Sequence, residues 1–201
     1  MSMTNFPAML FSENTGWDDI DHAHHSRKWF FRTLVLPLSV LPPLLYAYAE
    51  RSYPGVIFPL LLPELTTGQL IVSAAAFYLA QLMMVGYLAM LIQRMALARD
   101  HDPGPDGPYG LATIAIFPFW ISSLAMLVPS LGFNLVMTGA AALASVILIR
   151  HGVRPLLHIP NEKVAHEVAD TATIAGIAAW IGVIVMVAMV LSILLVNMTF
   201  V

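Results

Sequence analysis

The stretch QLIVSAAAFYLAQLMMVGYLAMLI, residues 69–92, decides the fold. It contains no Asp, Glu, Lys, Arg or His. A bilayer crossing needs about 20 mostly apolar residues in helical form. In lipid a helix satisfies every backbone donor and acceptor within the segment itself. A membrane β-barrel strand would alternate polar and apolar residues, and this run does not. Residues 69–92 therefore read as a transmembrane helix.

Working outward, four more runs meet the same test. They are 33–49 (TLVLPLSVLPPLLYAYA), 111–131 (LATIAIFPFWISSLAMLVPSL), 133–149 (FNLVMTGAAALASVILI) and 172–196, all free of charged residues and histidine. The expected fold class is all-α, a polytopic transmembrane bundle of five helices. The whole chain agrees: of 201 residues, 59% are hydrophobic and 10% charged. A soluble domain carries about 25% charged residues. The reading divides the chain into a partly amphipathic N-terminal segment, 1–32, and a single five-helix transmembrane domain, 33–201. The first 26 residues hold Glu13, Asp18, Asp19 and Asp21 but no Lys or Arg, unlike a signal peptide, so the N-terminus is expected to be retained.

The basic residues set the orientation. Arg27, Lys28, Arg32, Arg94, Arg99, Arg150, Arg154 and Lys163 fall on one side of the five spans, and only Arg51 on the other. The eight mark the cytoplasmic side, so the N-terminus is expected inside and the C-terminus outside. Net charge is −3 and no basic stripe exists, so no nucleic-acid partner is expected. There is no cysteine, which excludes disulfides and thiolate metal sites.

Within the spans, Pro42 and Pro43 in the first and Pro118 in the third predict kinks. Small residues four apart, among them Ala175 with Ala179 and Gly176 and Gly182 with their alanine neighbours, predict close helix packing. The third and fourth spans are expected to join in a tight hairpin around Gly132. Glu50, Arg51 and Glu64 are expected to snorkel to the outer interface. Ser39, Ser73, Gln81, Ser122, Ser123, Asn134, Thr138 and Ser145 are the embedded polar residues, expected to bond across helices or to their own backbone. No ionisable relay is expected at depth, which weighs against proton coupling.

Between spans, 93–109 holds the turn-rich DHDPGPDGP, and 161–170 (NEKVAHEVAD) reads as a short helix capped by Asn161. The N-terminal Phe6, Leu10, Phe11, Trp17 and Ile20 are expected to lie along the inner membrane surface. All seven histidines fall on the basic side. His22, His24 and His25 stand beside three aspartates, while Glu162, His166 and Asp170 are spaced by four on one helical face. Imidazole with carboxylate suits a divalent metal or a pH-sensitive interface. No other cofactor is expected. Phosphate-loop, HExxH and GxSxG patterns are absent, and the chain is expected not to be an enzyme.

The pattern resembles the Ypt-interacting-protein (Yip) family in its small bacterial inner-membrane branch. The resemblance lies in FSENTGWDDI, the lead-in HAHHSRKWF, five spans, the proline in ATIAIFPFWISSL, the tight third-to-fourth hairpin, and HGVRPLLHIPNEKVAHEVADTATIAG. It covers most of residues 5–195. Where many members have Gly-Tyr ahead of that proline, this chain has Thr113 and Ile114. The eukaryotic DLYGP motif is absent, and DGPYG at 106–110 is not equivalent, so Rab-type GTPase binding is not carried over. The resemblance implies a non-enzymatic, multi-pass inner-membrane protein. Its expected partners are membrane lipids, itself and other membrane proteins. Transport of ions, lipids or small solutes along proline-kinked helices is the alternative.

Overall fold

The computed structural model describes residues 9–11, 16–57 and 65–196, with side chains placed up to Leu194. Among these residues all regular structure is helical. A short helix, α1 (Trp17–His22), precedes five long ones: α2 (Arg27–Ser52), α3 (Thr67–Leu97), α4 (Asp106–Ser122), α5 (Leu131–Leu157) and α6 (Glu162–Val196). All five are long and apolar enough to cross a membrane, α4 together with a 3₁₀ extension through Leu127. The chain is an integral, multi-pass membrane protein.

Four of the five helices outrun the hydrophobic stretch that announces them; the third, expected over 111–131, begins earlier, at Asp106, and ends earlier, at Leu127, where the chain turns toward α5. The cause of the overrun is capping by polar residues beyond the apolar run. Thr66 and Gln69 form a reciprocal capping box at the start of α3. Leu65 and Leu70 pack in one cluster around that box, a hydrophobic staple. Ser130 accepts from the Phe133 amide and starts α5. Asn161 accepts from the amides of Lys163 and Val164, as expected of an N-cap. The helix it starts does not stop at residue 170, however. The expected short helix is the first part of α6, because nothing from Glu162 to Ala172 breaks the helix.

The first helix differs from its expectation in detail. It opens as an α-turn, widens to a π-helix at Phe31–Val35, and breaks at Ser39 and Val40 before Leu41–Ser52. Pro42 and Pro43 do not kink this helix from within. They stand in the first turn after the break, where an amide would have no intrahelical acceptor anyway. Pro118 lies inside α4, which continues through it to Ser122 and tightens to 3₁₀ at Ser123–Leu127. The hairpin between α4 and α5 turns at Val128–Ser130, not at Gly132, which is already helical.

Helix α4 is the centre of the bundle. In its most apolar window 61% of residues are buried, against 6% in α6, which leaves Ile174, Ile177, Ile181 and Ile184 exposed to lipid. Interhelical hydrogen bonds tie the neighbours together, as expected where apolar contact alone gives no advantage over lipid. Trp120 donates to Gln81 at 3.3 Å, joining α4 to α3. Ser145 donates to the Ala115 carbonyl at 2.6 Å, joining α5 to α4. Gln69 donates to the Leu194 carbonyl, joining the start of α3 to the far part of α6. Ala175 and Ala179 pack against the core, and a Cβ on Gly176 would meet Ile149 at 3.8 Å. Gly182 packs on nothing among the described residues of the chain itself, since nothing lies within 4 Å of where its Cβ would be.

Candidate functional site at the basic end of the bundle

The end of the bundle that carries the eight basic residues is built, not frayed. Its keystone is Trp17. This side chain is fully buried, and its indole N–H donates to the Met9 carbonyl at 3.3 Å. The ring sits where Gly152 of α5 has no side chain; a Cβ there would come within 2.4 Å of it. Ile20, one turn on, is buried too. Trp17 and Ile20 were expected to lie on the membrane surface. They plug the end of the bundle instead, because α5 offers a glycine notch lined by Leu111. Phe11 is 87% exposed, and Phe6 lies outside the described residues.

A second set of contacts joins α1 and the start of α2 to the first turn of α4 and the end of α5. The Arg27 amide donates to Asp106 at 2.7 Å, and the Arg27 guanidinium lies 5.3 Å from the Tyr109 ring centroid. His25 stacks on Trp29 with ring centroids 3.6 Å apart, and Phe30 stands edge-on to both. His158 ends α5 in the left-handed conformation, and its Nε2 reaches Asp21 at 3.0 Å. His101 meets the Leu157 carbonyl at 2.5 Å, taking up one of the last free carbonyls of α5. Two glycines permit the approach. Gly107 faces the Leu156 carbonyl and Gly110 faces the Phe30 ring, both closer than a Cβ would ordinarily tolerate.

These elements enclose an open cleft of about 170 Å³. Ile20, Asp21, His25, Phe30, Asp106 and His158 are among its walls. The DPGPDGP loop is therefore part of a wall, and its DGP opens α4.

The candidate metal ligands do not converge. His22 turns its Nδ1 back to the Asp18 carbonyl, and His166 likewise to Glu162. Asp170 pairs with Arg150 at 2.9 Å. Among the described residues no group of three His, Cys, Asp or Glu side chains is placed to hold a metal ion. The histidines do mark the right end of the molecule, since His24, His25 and His158 line the cleft. Sequence reasoning missed Gly107, Gly110 and Gly152. Gly152 alone stood in a helical pattern with no turn to serve, which costs about 1 kcal/mol against alanine, but that did not say what the missing side chain makes room for.

Desolvation pushes the His25 imidazole below its ordinary value of 6.5, so the packed state favours the neutral ring. Its contribution is complete above about 6.5 and is lost as pH falls below it. Lowering pH through this range is expected to increase proteolysis of the N-terminal segment. The increase is expected to vanish in His25→Phe, which keeps the stack and cannot charge.

The model of one known family, the Yip1 domain, matches residues 8–169. The chain belongs to the Yip1 domain family. The match runs from the residue before Met9, the acceptor of Trp17, to the inner third of α6. The whole cleft of this Yip1-domain chain thus lies inside the matched region. No curated protein and no solved structure matches the chain.

Proposed function

We propose that this Yip1-domain protein is a non-enzymatic membrane adaptor, an organiser or subunit of a membrane complex, and that the cleft end is its partner-binding face. One observation carries the reading. At that end Trp17, Asp21, Arg27, Asp106 and His158 lock an N-terminal helix onto three spans around an open cleft. A segment that served only as a leash would not be held by a fully buried tryptophan. The eight basic residues support a cytoplasmic location for this face under the positive-inside rule. With the family membership, this favours a bacterial inner membrane. In the cleft, Asp21 is tied to His158 and Asp106 to the Arg27 amide.

The test is crosslinking in native membranes followed by affinity purification and native mass spectrometry. Wild type is compared with the exposed cleft variant His24→Glu combined with Asp106→Asn. Specific partners, or a second copy of the chain, are expected with wild type. Their recovery is expected to fall about tenfold in the variant, equivalent to ~1.4 kcal/mol. Recovery of an isolated monomer with lipid alone would sink the adaptor reading.

The broken first helix favours a second reading, transport of small solutes, ions or lipids. Protein-dependent flux or lipid scrambling in liposomes would support it, and none in either assay would remove it.

A further inference from the structure

The other end of the bundle holds a residue whose expected place was wrong. Glu50 was read as a snorkelling side chain. It is 7% exposed, and it is the only Asp, Glu, Lys or Arg in the buried set of the described residues. It lies two residues from the end of α2, inside a membrane-spanning segment. Arg51, the next residue, does the snorkelling: it is exposed, as a neighbour about 100° round the helix should be when Glu50 faces inward.

Among the described residues Glu50 has a tyrosine hydroxyl nearby and no ion-pair partner. Tyr46, one turn earlier, is 2% exposed and lies near Glu50; Tyr46 in turn meets Ser73 of α3, which is 1% exposed. The Gly55 backbone approaches its carboxyl from the segment that leaves the helix. The elements packed on Leu41–Ser52 are α3, the 3₁₀ turn Ser123–Leu127 and the nearby part of α4. The 3₁₀ turn carries no titratable group, and the facing turns of α3 carry Tyr78 alone. On its own segment the titratable groups are Tyr46, Tyr48, Arg51 and Tyr53. Tyr53 donates its hydroxyl to the Met126 carbonyl. The ion pairs among the described residues are Arg99–Glu167, Arg150–Asp170 and His158–Asp21, and none includes Glu50.

An ionised carboxylate buried without a counter-charge costs several kcal/mol. An ionisable residue inside a membrane protein, unless paired, marks a function. A cation or a proton would relieve the charge, and among the described residues no cation pairs with it. We propose that Glu50 is a proton-binding site of the membrane domain, exchanging with the aqueous phase on the Arg51-bearing face, and that Tyr46 and Ser73 are its positioning residues. The step is simple: the carboxylate takes one proton from that phase and becomes a neutral acid, and the reverse returns it. Its position gives the exchange a consequence. Glu50 sits between the break at Ser39 and Val40 and the Tyr53 tether to Met126, so its charge state biases how the second half of α2 packs on the turn that follows α4. This site lies at the opposite end from the cleft and stands independently of the adaptor reading.

The test uses the full chain in liposomes of phosphatidylcholine and phosphatidylglycerol. The probe is dicyclohexylcarbodiimide, a lipid-soluble reagent that adds to protonated carboxyl groups and leaves a stable N-acylurea. Peptide mass spectrometry is expected to find the adduct on Glu50. Labelling is expected to fall as pH is raised on the Arg51-bearing side, about tenfold for each pH unit beyond the midpoint. A water-soluble carbodiimide is expected to spare Glu50 and label exposed carboxyls such as Glu162. Tyr46→Phe is expected to keep the adduct but move the midpoint, which a merely structural role would not do. Absence of the Glu50 adduct, pH-independent labelling, or equal labelling by the water-soluble reagent would each overturn the proposal. An unmoved midpoint in Tyr46→Phe would overturn the role of Tyr46.

Discussion

Replacing Gly152 by alanine is expected to unseat the N-terminal helix. Two terms of opposite sign compete. Alanine in a helix interior is about 1 kcal/mol better than glycine. Against that, the new Cβ would stand 2.4 and 2.5 Å from two atoms of the Trp17 ring and 2.7 Å from a methyl of Leu111. The indole cannot give way by small steps. It is fully buried, it is tied to Met9, and Leu111 is itself fully buried. If the ring leaves, the molecule loses what a buried tryptophan truncated to alanine loses, about 3–5 kcal/mol. The loss exceeds the helix gain, so the net change is destabilising by about 2–4 kcal/mol.

The measurement is unfolding in detergent for Gly152→Ala, Trp17→Ala and the double variant. The two single changes act on one contact, so their effects are expected not to add, with a coupling energy of about 1–3 kcal/mol. Additive effects would mean that Gly152 and Trp17 do not share a notch. Hydrogen exchange gives a second readout. Residues 17–22 are expected to lose protection in Gly152→Ala, while α3 keeps its own. The same substitution thus tests whether the cleft face depends on the docked helix.

How far this could be read from the chain alone differs between the membrane and its two surfaces. The five spans were legible because an uncharged run of about 20 residues has one low-energy place to be. Their ends were not, because α3, α5 and α6 carry helix into polar residues such as Arg94, Arg150 and Glu162, which caps decide and hydropathy does not. Pro42 and Pro43 predicted an irregularity in the right helix but could not say on which side of themselves it falls. At the basic end, the histidines pointed to the right region. Their role did not follow, because acid–imidazole spacing of four is satisfied equally by ring bonds to the helix backbone, as His166 shows. The glycine notches were out of reach, since what a missing side chain makes room for is a tertiary fact. Glu50 was misplaced for the same reason. Position near a helix end suggests a route to water, but which side of the helix a residue occupies decides whether it takes that route.

Replacing Gly107 by alanine is also expected to damage the basic end of the bundle. Here the atom in the way is backbone: the Leu156 carbonyl oxygen would lie 2.3 Å from the added Cβ, and its carbon 3.3 Å. A side chain can rotate, but this carbonyl is held in the last turn of α5, and the neighbouring Leu157 carbonyl is pinned by His101. The first turn of α4 must therefore back away from the end of α5. That displacement strains the Asp106 bond to the Arg27 amide and opens the wall of the cleft. Overpacking of this kind costs about 1–3 kcal/mol, and more where backbone must move. Gly86→Ala in α3 supplies the contrast. It is the same chemical change in a helix interior, but nothing lies within 4 Å of its Cβ position, so the propensity gain of up to about 1 kcal/mol is unopposed. The expected result is a fall in unfolding temperature for Gly107→Ala and a small rise for Gly86→Ala. The crosslinked partner is expected to be lost only in the first. Equal behaviour of the two variants would show that the close approach of α4 to the α5 carbonyls neither holds this end of the bundle nor shapes the face proposed to bind partners.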